Sequence, residues 1–117
     1  MSDSAYIKYT ETILLEVFYE AIENKELDSF FLDEEINLYG GERGKRSLAA
    51  RWAVKSIIIK HYNSKIGFKD IIITSADNGR PLLKILNHNI NDKILISMSH
   101  TRKRISAMVV IEENIAN

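Results

Sequence analysis

The stretch from residue 47 to residue 62, S-L-A-A-R-W-A-V-K-S-I-I-I-K-H-Y, decides how the rest of the chain folds. Its apolar residues fall on two opposite faces when they are placed at about 100° per residue, and Ser47 is a suitable cap for the first turn. A helix that is apolar on two sides is buried between other elements. The sequence therefore predicts a central helix of about four turns with structure packed against both faces.

Two narrow polar seams interrupt the apolar faces of this predicted helix. Arg51 and Lys55 stand one turn apart on the first seam, and Ser56 and Lys60 stand one turn apart on the second. Burying a cation is costly unless an anionic or hydrogen-bonding partner meets it. The residues alone leave two interpretations open: the cations reach solvent or pair with carboxylates of the chain, or they bind an anionic ligand.

Length and composition are those of an ordinary folded chain. Its 117 residues predict one domain, residues 1–117, and its apolar content of 45% and charged content of 27% are typical of globular proteins. Cysteine is absent, which excludes disulfides and thiolate sites. No apolar run is long enough to span a membrane and no signal-peptide pattern begins the sequence, so we expect a cytoplasmic location.

The net charge of zero hides an uneven distribution of charge along the chain. The first 42 residues carry eleven acidic side chains against two basic ones, and the remaining residues carry fourteen basic against five acidic. This split predicts either that the basic part faces a polyanion or that the two parts neutralise each other.

The segments on either side of the central helix change from helical to strand periodicity along the chain. Residues 10–26 have the spacing of an amphipathic helix, residues 5–9 alternate weakly like a short strand, and residues 28–39 predict a turn and a short helix. Four later runs predict antiparallel strands at residues 70–75, 81–86, 93–99 and 105–112. Helices followed by an antiparallel sheet indicate the α+β class.

Three pieces of this sequence, in the same order, resemble the holo-acyl-carrier-protein synthase type of 4′-phosphopantetheinyl transferase. The family's helix motif A-x-R-F-A-x-K-E-A-x-x-K-A is similar to A-A-R-W-A-V-K-S-I-I-I-K-H at residues 49–61. Its G-x-P turn matches Gly79-Arg80-Pro81, and its strand–S-H-T–strand unit matches the sequence around His100 and Thr101. An acidic F-x-x-E-E segment is similar to residues 31–35, so the resemblance covers roughly residues 28–113.

The resemblance implies a compact α+β domain, commonly a homotrimer with sites between neighbouring subunits. It also implies transfer of phosphopantetheine from coenzyme A to a serine of an acyl carrier protein, as in fatty acid biosynthesis. A divalent metal such as Mg²⁺ bridges the pyrophosphate in that reaction. The residues that it implies for coenzyme A binding are Arg51, Lys55, Lys60, His100 and Thr101, and Lys60 is also a phosphate contact or proton acceptor at the reacting centre.

This sequence departs from the family pattern at the metal ligands. Family members hold the metal with an aspartate of a first-strand G-x-D motif and with the glutamate of the K-E motif. Here the K-E glutamate is Ser56, a neutral side chain with one oxygen and a poor Mg²⁺ ligand. No glycine precedes Gly40, and spacing makes Glu11 the acid nearest to the missing aspartate. Glu11 is therefore the candidate for both the metal ligand and a catalytic carboxylate.

Three functions remain as alternatives from the sequence. The first is an active transferase with a metal site rearranged around Glu11, and the second is a catalytically degenerate relative that binds coenzyme A or a carrier protein without transfer. The third is a nucleic-acid-binding module, which is disfavoured because the basic stretches lack interleaved aromatic residues. His61 and His88 are predicted to be structural, since no carboxylate or second histidine stands at ligand spacing from either.

Overall fold

The computed structural model describes residues 4–23, 26–41 and 44–114. In chain order the elements are β1 (Ser4–Leu14), α1 (Leu15–Glu23), α2 (Asp33–Tyr39), α3 (Lys45–His61), β2 (Ile71–Ser75), β3 (Pro81–Ile85), β4 (Lys93–His100) and β5 (Arg104–Asn114). Short 3₁₀ turns at Leu27–Ser29 and Phe68–Asp70 precede α2 and β2. The arrangement has the predicted α+β class.

The strands form two antiparallel sheets rather than one. The larger sheet has the order β1-β5-β4, so β5 is central and β1 and β4 are its edges, whereas β2 and β3 form a separate hairpin. β5 pairs with β1 along all eleven residues, and β4 pairs with β5 from Lys93↔Glu112 to His100↔Ile105. Alternate β5 residues face α3 and are buried: Ile105, Ala107, Val109 and Ile111.

Helix α3 lies between the larger sheet and a layer made by α2 and the β2–β3 hairpin. One face packs on β5 and β4, and the opposite face meets α2 and the 3₁₀ turn before β2. Its apolar residues are buried on both faces, as in Leu48, Val54 and Ile58, which confirms the predicted two-sided helix. In the part of the chain that the structure describes, no helix is long and apolar enough to cross a membrane.

The predicted start of the first helix was wrong, whereas the strand predicted at residues 5–9 is part of β1. Residues 10–14, predicted as the start of a helix, are the end of β1, and helix α1 begins only at Leu15. The reason is tertiary: the whole of β1 finds a partner in β5, and this pairing outweighs a helical periodicity that is strong only from Leu15 onward. Residues 24–25, also in the predicted helix, lie outside the described residues.

The other predicted elements agree with the structure to within a few residues. The central helix begins at Lys45, so Ser47 lies inside its first turn and does not cap it. The hairpin and the β4–β5 pair occupy the predicted segments, and the predicted Asp77-Asn78-Gly79 turn joins β2 to β3. Gly79 has φ +85°, a left-handed conformation that glycine adopts without steric cost.

Candidate functional site

A cavity of about 330 Å³ opens between the first half of α3, the β2–β3 hairpin and the end of β4. Its polar lining comes from separate segments of the chain: Tyr39, Ser47, Arg51, Ser75 and His100. Gly79 and Pro81 form part of its wall, and Ile96 and Met98 of β4 form an apolar part. The cavity therefore unites residues of all three sequence pieces that carried the resemblance.

Arg51 is a fixed cation in the wall of this cavity. Its Nε donates to the Ile73 carbonyl at 2.9 Å, one terminal nitrogen donates to the Ser47 carbonyl at 3.1 Å, and the other donates to Ser75 Oγ at 3.3 Å. The guanidinium carbon lies 3.8 Å from the centre of the Tyr39 ring. These bonds use three of the five N–H groups of an arginine. Burial lowers the pKa of Arg51, and the nearby Tyr39 and Glu35 groups partly offset this.

His100 lines the same cavity from the last position of β4, where its side chain is exposed. Thr101 follows in the turn and does not line the cavity. Its backbone N–H donates to the Arg104 carbonyl at 2.9 Å, and its Oγ1 accepts from the Arg104 N–H at 3.2 Å. Thr101 thus closes the β4–β5 turn that holds His100 in place.

Lys55 does not meet the prediction that it contacts a phosphate. Its side chain is fully buried, and its ammonium donates to Glu35 Oε1 at 2.7 Å, to the Phe30 carbonyl at 2.9 Å and to the Phe68 carbonyl at 3.2 Å. All three ammonium hydrogens therefore have acceptors inside the protein. Burial lowers the pKa of Lys55, and the bond to Glu35 opposes that shift.

Besides its ion pair with Lys55, Glu35 forms hydrogen bonds that connect three elements. Its Oε1 also accepts the Leu32 N–H at 3.0 Å, and its Oε2 accepts the Ile73 N–H at 3.0 Å. The pair ties α2, α3 and β2 together directly behind the cavity. Removing one member of such a buried pair leaves an uncompensated charge, so the pair contributes to the placement of the cavity wall.

The second polar seam faces away from the cavity. At about 100° per residue, Ser56 lies about 140° and Lys60 about 180° around α3 from Arg51. Ser56 Oγ donates to the Trp52 carbonyl at 2.8 Å, and the Lys60 side chain is exposed. Neither residue lines the cavity, so the structure brings Arg51 and His100 together but not Lys55 or Lys60.

Glu11 lies on the α3-facing side of β1, because it pairs with the buried Ala107 of β5. His61 of α3 is the reference point for comparing positions along β1, because its Nδ1 lies 2.6 Å from the Tyr9 hydroxyl oxygen. The first half of α3 lies by the His100 end of the sheet and its last turn by Tyr9, so α3 runs antiparallel to β1. Five helix residues back from His61 cover about 7.5 Å, and two strand residues forward from Tyr9 cover about 6.7 Å. Ser56 therefore lies on the Glu11 side of His61 along β1.

The residues at the predicted metal positions do not fit a divalent cation. One is the carboxylate of Glu11, and the other is the neutral hydroxyl of Ser56, which is already bonded to the helix backbone. Among residues 4–23, 26–41 and 44–114, no three His, Cys, Asp or Glu side chains are grouped closely enough to hold a metal. Mg²⁺ requires several anionic or carbonyl oxygens in near-octahedral geometry, which this donor set does not supply.

Sequence reasoning missed four polar residues of the cavity, one of which is Ser97 of β4. Ser47 lies one turn before Arg51 on the same seam, and this spacing was a usable signal for a residue that we predicted only as a cap. Tyr39 and Ser75 meet through their hydroxyls at 2.9 Å, although they are distant in sequence. Neither belongs to a motif, and only the packing of α2 against β2 reveals them.

Comparison with known proteins gives the chain its family. It is 33% identical over 87 residues to the holo-[acyl-carrier-protein] synthase of Streptococcus mutans, a match that covers 69% of this chain and 71% of that protein. It is 34% identical over 84 residues to the synthase of Streptococcus thermophilus, covering 69% of each. No protein-family model matches the sequence. This chain belongs to the holo-[acyl-carrier-protein] synthase family of phosphopantetheinyl transferases.

Solved structures agree on the fold. The holo-(acyl-carrier-protein) synthase of Bacillus anthracis, in complex with CoA (3′,5′-ADP), superposes with a TM-score of 0.77 at 23% identity, covering 92% of this chain and 98% of that one. The synthase of Neisseria meningitidis gives a TM-score of 0.73 at 18% identity, covering 91% and 97%. Such coverage places the family's α+β fold over nearly the whole chain.

Proposed function

We propose that this protein transfers phosphopantetheine from coenzyme A to a serine of an acyl carrier protein. Family membership supports the reaction class. The observation that carries the proposal is the cavity that joins Arg51, His100 and the Gly79-Arg80-Pro81 turn, because three motifs far apart in sequence meet at one concave surface. A cation fixed in a cavity wall is suited to binding phosphate.

In this proposal the adenosine and phosphate end of coenzyme A occupies the cavity. Arg51 and His100 contact its phosphates, and the hydroxyls of Ser47 and Ser75 line the same space. The hairpin turn at Gly79 forms the wall opposite α3. Lys55 is not part of the ligand site, because its ammonium bonds are all made within the protein.

The reacting groups are proposed to come from the other flank of α3. The serine oxygen of the carrier protein attacks the pyrophosphate phosphorus next to pantetheine, and the bond from that phosphorus to the bridging oxygen breaks. Adenosine 3′,5′-bisphosphate leaves. Lys60 stabilises the negative charge on the phosphoryl oxygens, and Glu11 accepts the proton of the serine hydroxyl. No step is assigned to Mg²⁺, since the donor set at Glu11 and Ser56 does not fit it.

Two copies of the chain are needed to complete such a site. The cavity and the Glu11–Lys60 flank lie on opposite sides of α3, so one copy supplies the coenzyme-binding cavity and its neighbour supplies the reacting groups. The outer face of the larger sheet is open in the described residues and presents apolar side chains, with Tyr6 68% and Leu95 56% exposed. We propose a homotrimer, the assembly implied by the sequence resemblance, with this face toward a neighbouring copy.

The test is mass spectrometry of an apo-acyl carrier protein incubated with coenzyme A and this protein. The expected result is a gain of one phosphopantetheine per carrier, at a rate that changes little when a chelator is added. Lys60→Ala should reduce the rate while leaving coenzyme A binding largely intact in calorimetry. Binding of coenzyme A with no transfer to any carrier protein would contradict the proposed activity and favour the degenerate relative.

A further inference from the structure

The last turn of α3 carries a hydrogen-bond network that no motif of the family explains. His61 stands where the family helix motif has alanine, and its side chain is only 7% exposed. Its Nε2 lies 2.9 Å from Glu113 Oε1 and its Nδ1 lies 2.6 Å from the Tyr9 hydroxyl oxygen. The Tyr9 and His61 rings also meet edge to face, with centroids 5.5 Å apart. One imidazole thus bonds two different strands.

The chemistry of the three groups fixes the direction of the bond to Glu113 and lets the bond to Tyr9 form in either direction. An ionised Glu113 only accepts, so His61 Nε2 carries a hydrogen and donates to it. In the neutral imidazole Nδ1 then accepts from the Tyr9 hydroxyl, and in the imidazolium Nδ1 donates to the Tyr9 oxygen. Both bonds survive either protonation state of His61.

The two partners of His61 hold it from opposite directions along the sheet. Glu113 pairs with Ala5, four β1 positions from Tyr9, and the Ile7–Ile111 pair lies between them. A slide of α3 by one strand position, about 3.3 Å, in either direction breaks one of the two bonds. The network therefore fixes the height of α3 along β1.

We propose that His61 is a positioning residue for the transfer reaction. Because Glu11 follows Tyr9 by two residues and Lys60 directly precedes His61, the network sets the height of Lys60 and Ser56 relative to Glu11. This inference rests on the proposed function for its effect on rate. Its structural part, the registration of α3 against β1, stands on the hydrogen bonds alone.

The neighbouring residue Tyr62 provides a matched control. Its hydroxyl donates to Asp92 Oδ2 at 2.7 Å, which ties the same end of α3 to the segment before β4 rather than to β1. Burial and Asp92 raise the pKa of Tyr62, so it remains a neutral donor. Tyr62→Phe removes one hydrogen bond at the same helix end without touching the link to Glu11.

The kinetic arm of the test compares His61→Ala, His61→Gln and Tyr62→Phe in the carrier-protein assay. His61→Ala should lower kcat by about ten- to a hundredfold, as displaced catalytic groups do, while KM for coenzyme A changes less than about twofold. His61→Gln offers a donor and an acceptor at its amide, so it should recover part of that loss. Tyr62→Phe should retain the rate. Tyr9→Phe is the milder variant if His61→Ala does not fold.

The structural arm needs no activity. The chain has no cysteine, so spin labels at Lys8→Cys on β1 and Arg46→Cys on α3 are unique within one copy, where both positions are exposed. The doubly labelled chain is refolded with an excess of unlabelled chain, so that only distances within one copy are measured. Double electron–electron resonance should show the label distance shift or broaden by about 3 Å, one strand position, in His61→Ala but not in Tyr62→Phe. An unchanged distribution in His61→Ala would overturn the inference. Absence of transfer by the unmodified protein would instead overturn the proposed function, and the distance result would still decide the role of His61.

Discussion

The two flanks of α3 differ in how many internal contacts hold their polar side chains. On the cavity flank, Arg51 has three internal hydrogen bonds and an aromatic ring beneath it, and the Lys55–Glu35 pair is fully buried behind it. On the other flank, Lys60 is exposed and the position of the family's K-E glutamate is held by Ser56. The polar groups of the first flank are held by buried internal bonds, whereas the second flank carries few anionic groups.

This difference indicates that coenzyme binding and phosphoryl chemistry have separate structural requirements in this chain. The cavity depends on buried side chains whose bonds are all internal, so it is formed before a ligand arrives. The Glu11 flank depends on the height of α3 above β1, which His61 holds from the helix end. Substitutions on one flank should therefore affect binding and substitutions on the other should affect rate.

The largest effect is expected when the buried Lys55–Glu35 ion pair behind the cavity is broken. Glu35→Ala leaves the buried Lys55 ammonium without its carboxylate and should lower the free energy of unfolding by about 3–5 kcal/mol. Glu34→Ala, on the exposed side of α2, should change it by no more than about 0.5 kcal/mol. Urea denaturation followed by Trp52 fluorescence measures both. Equal stabilities would show that the ion pair does not support the cavity wall.

A smaller effect is expected for His100, the exposed side chain that lines the cavity. His100→Ala should weaken coenzyme A binding about tenfold or more, because a hydrogen bond to a charged phosphate is lost, and should leave the unfolding free energy unchanged. His88→Ala serves as the control, since His88 bonds Asp70 and does not line the cavity. Titration calorimetry at low salt measures the affinities. Full affinity in His100→Ala would place coenzyme A elsewhere.

The next effect is expected when the family's carboxylate is restored at Ser56, on the Lys60 flank of α3. Ser56→Glu places a second anionic group on the same flank of α3 as Glu11 and should strengthen Mg²⁺ binding by about tenfold, since Mg²⁺ prefers carboxylate oxygens. The gain should disappear when Glu11→Ala is added. Calorimetric titration with Mg²⁺ measures it. The opposite result would be rapid transfer by the unmodified protein that is lost when a chelator is added. That result would contradict the conclusion that this flank binds metal poorly.

The smallest expected effect lies outside both flanks and depends on pH. Asp70 accepts from the Gly67 N–H at 2.9 Å and from His88 Nε2 at 3.1 Å, and the bond from Gly67 is the main cause that lowers the pKa of Asp70 below 3.8. A carboxyl whose pKa is lower in the folded state stabilises the fold above its unfolded pKa and loses that contribution as pH falls through its folded pKa. Asp70→Asn should therefore cost about 0.5–1 kcal/mol at neutral pH and nothing in strong acid. A pH-independent difference in urea denaturation would contradict this assignment.

Local sequence patterns were sufficient for the central helix, the β2–β3 hairpin and the β4–β5 pair. Each of these has its periodicity and turn residues within one continuous segment, such as Gly79 with its positive φ. β1 could not be predicted beyond residue 9, because its partner β5 lies about ninety residues later and decides its conformation.

The candidate site was predicted only in part for the same reason. The resemblance led to Arg51 and His100, which do share a cavity. It also led to Lys55, whose seam with Arg51 gave no sign that Glu35, twenty residues away, would meet its ammonium inside the core. Helix periodicity did separate the two polar seams. What it could not show is that the cavity lies on the Arg51 flank alone.

Mixing two inactive variants tests the division of the site between copies most directly. His100→Ala lacks a cavity contact and Lys60→Ala lacks a reacting group, so each alone should transfer phosphopantetheine poorly. If every site combines the cavity of one copy with Lys60 of its neighbour, random mixed trimers should recover about a quarter of the unmodified rate per site. The measurement is carrier-protein mass spectrometry after the two proteins are unfolded and refolded together. A mixture no more active than the average of the two variants would contradict the account.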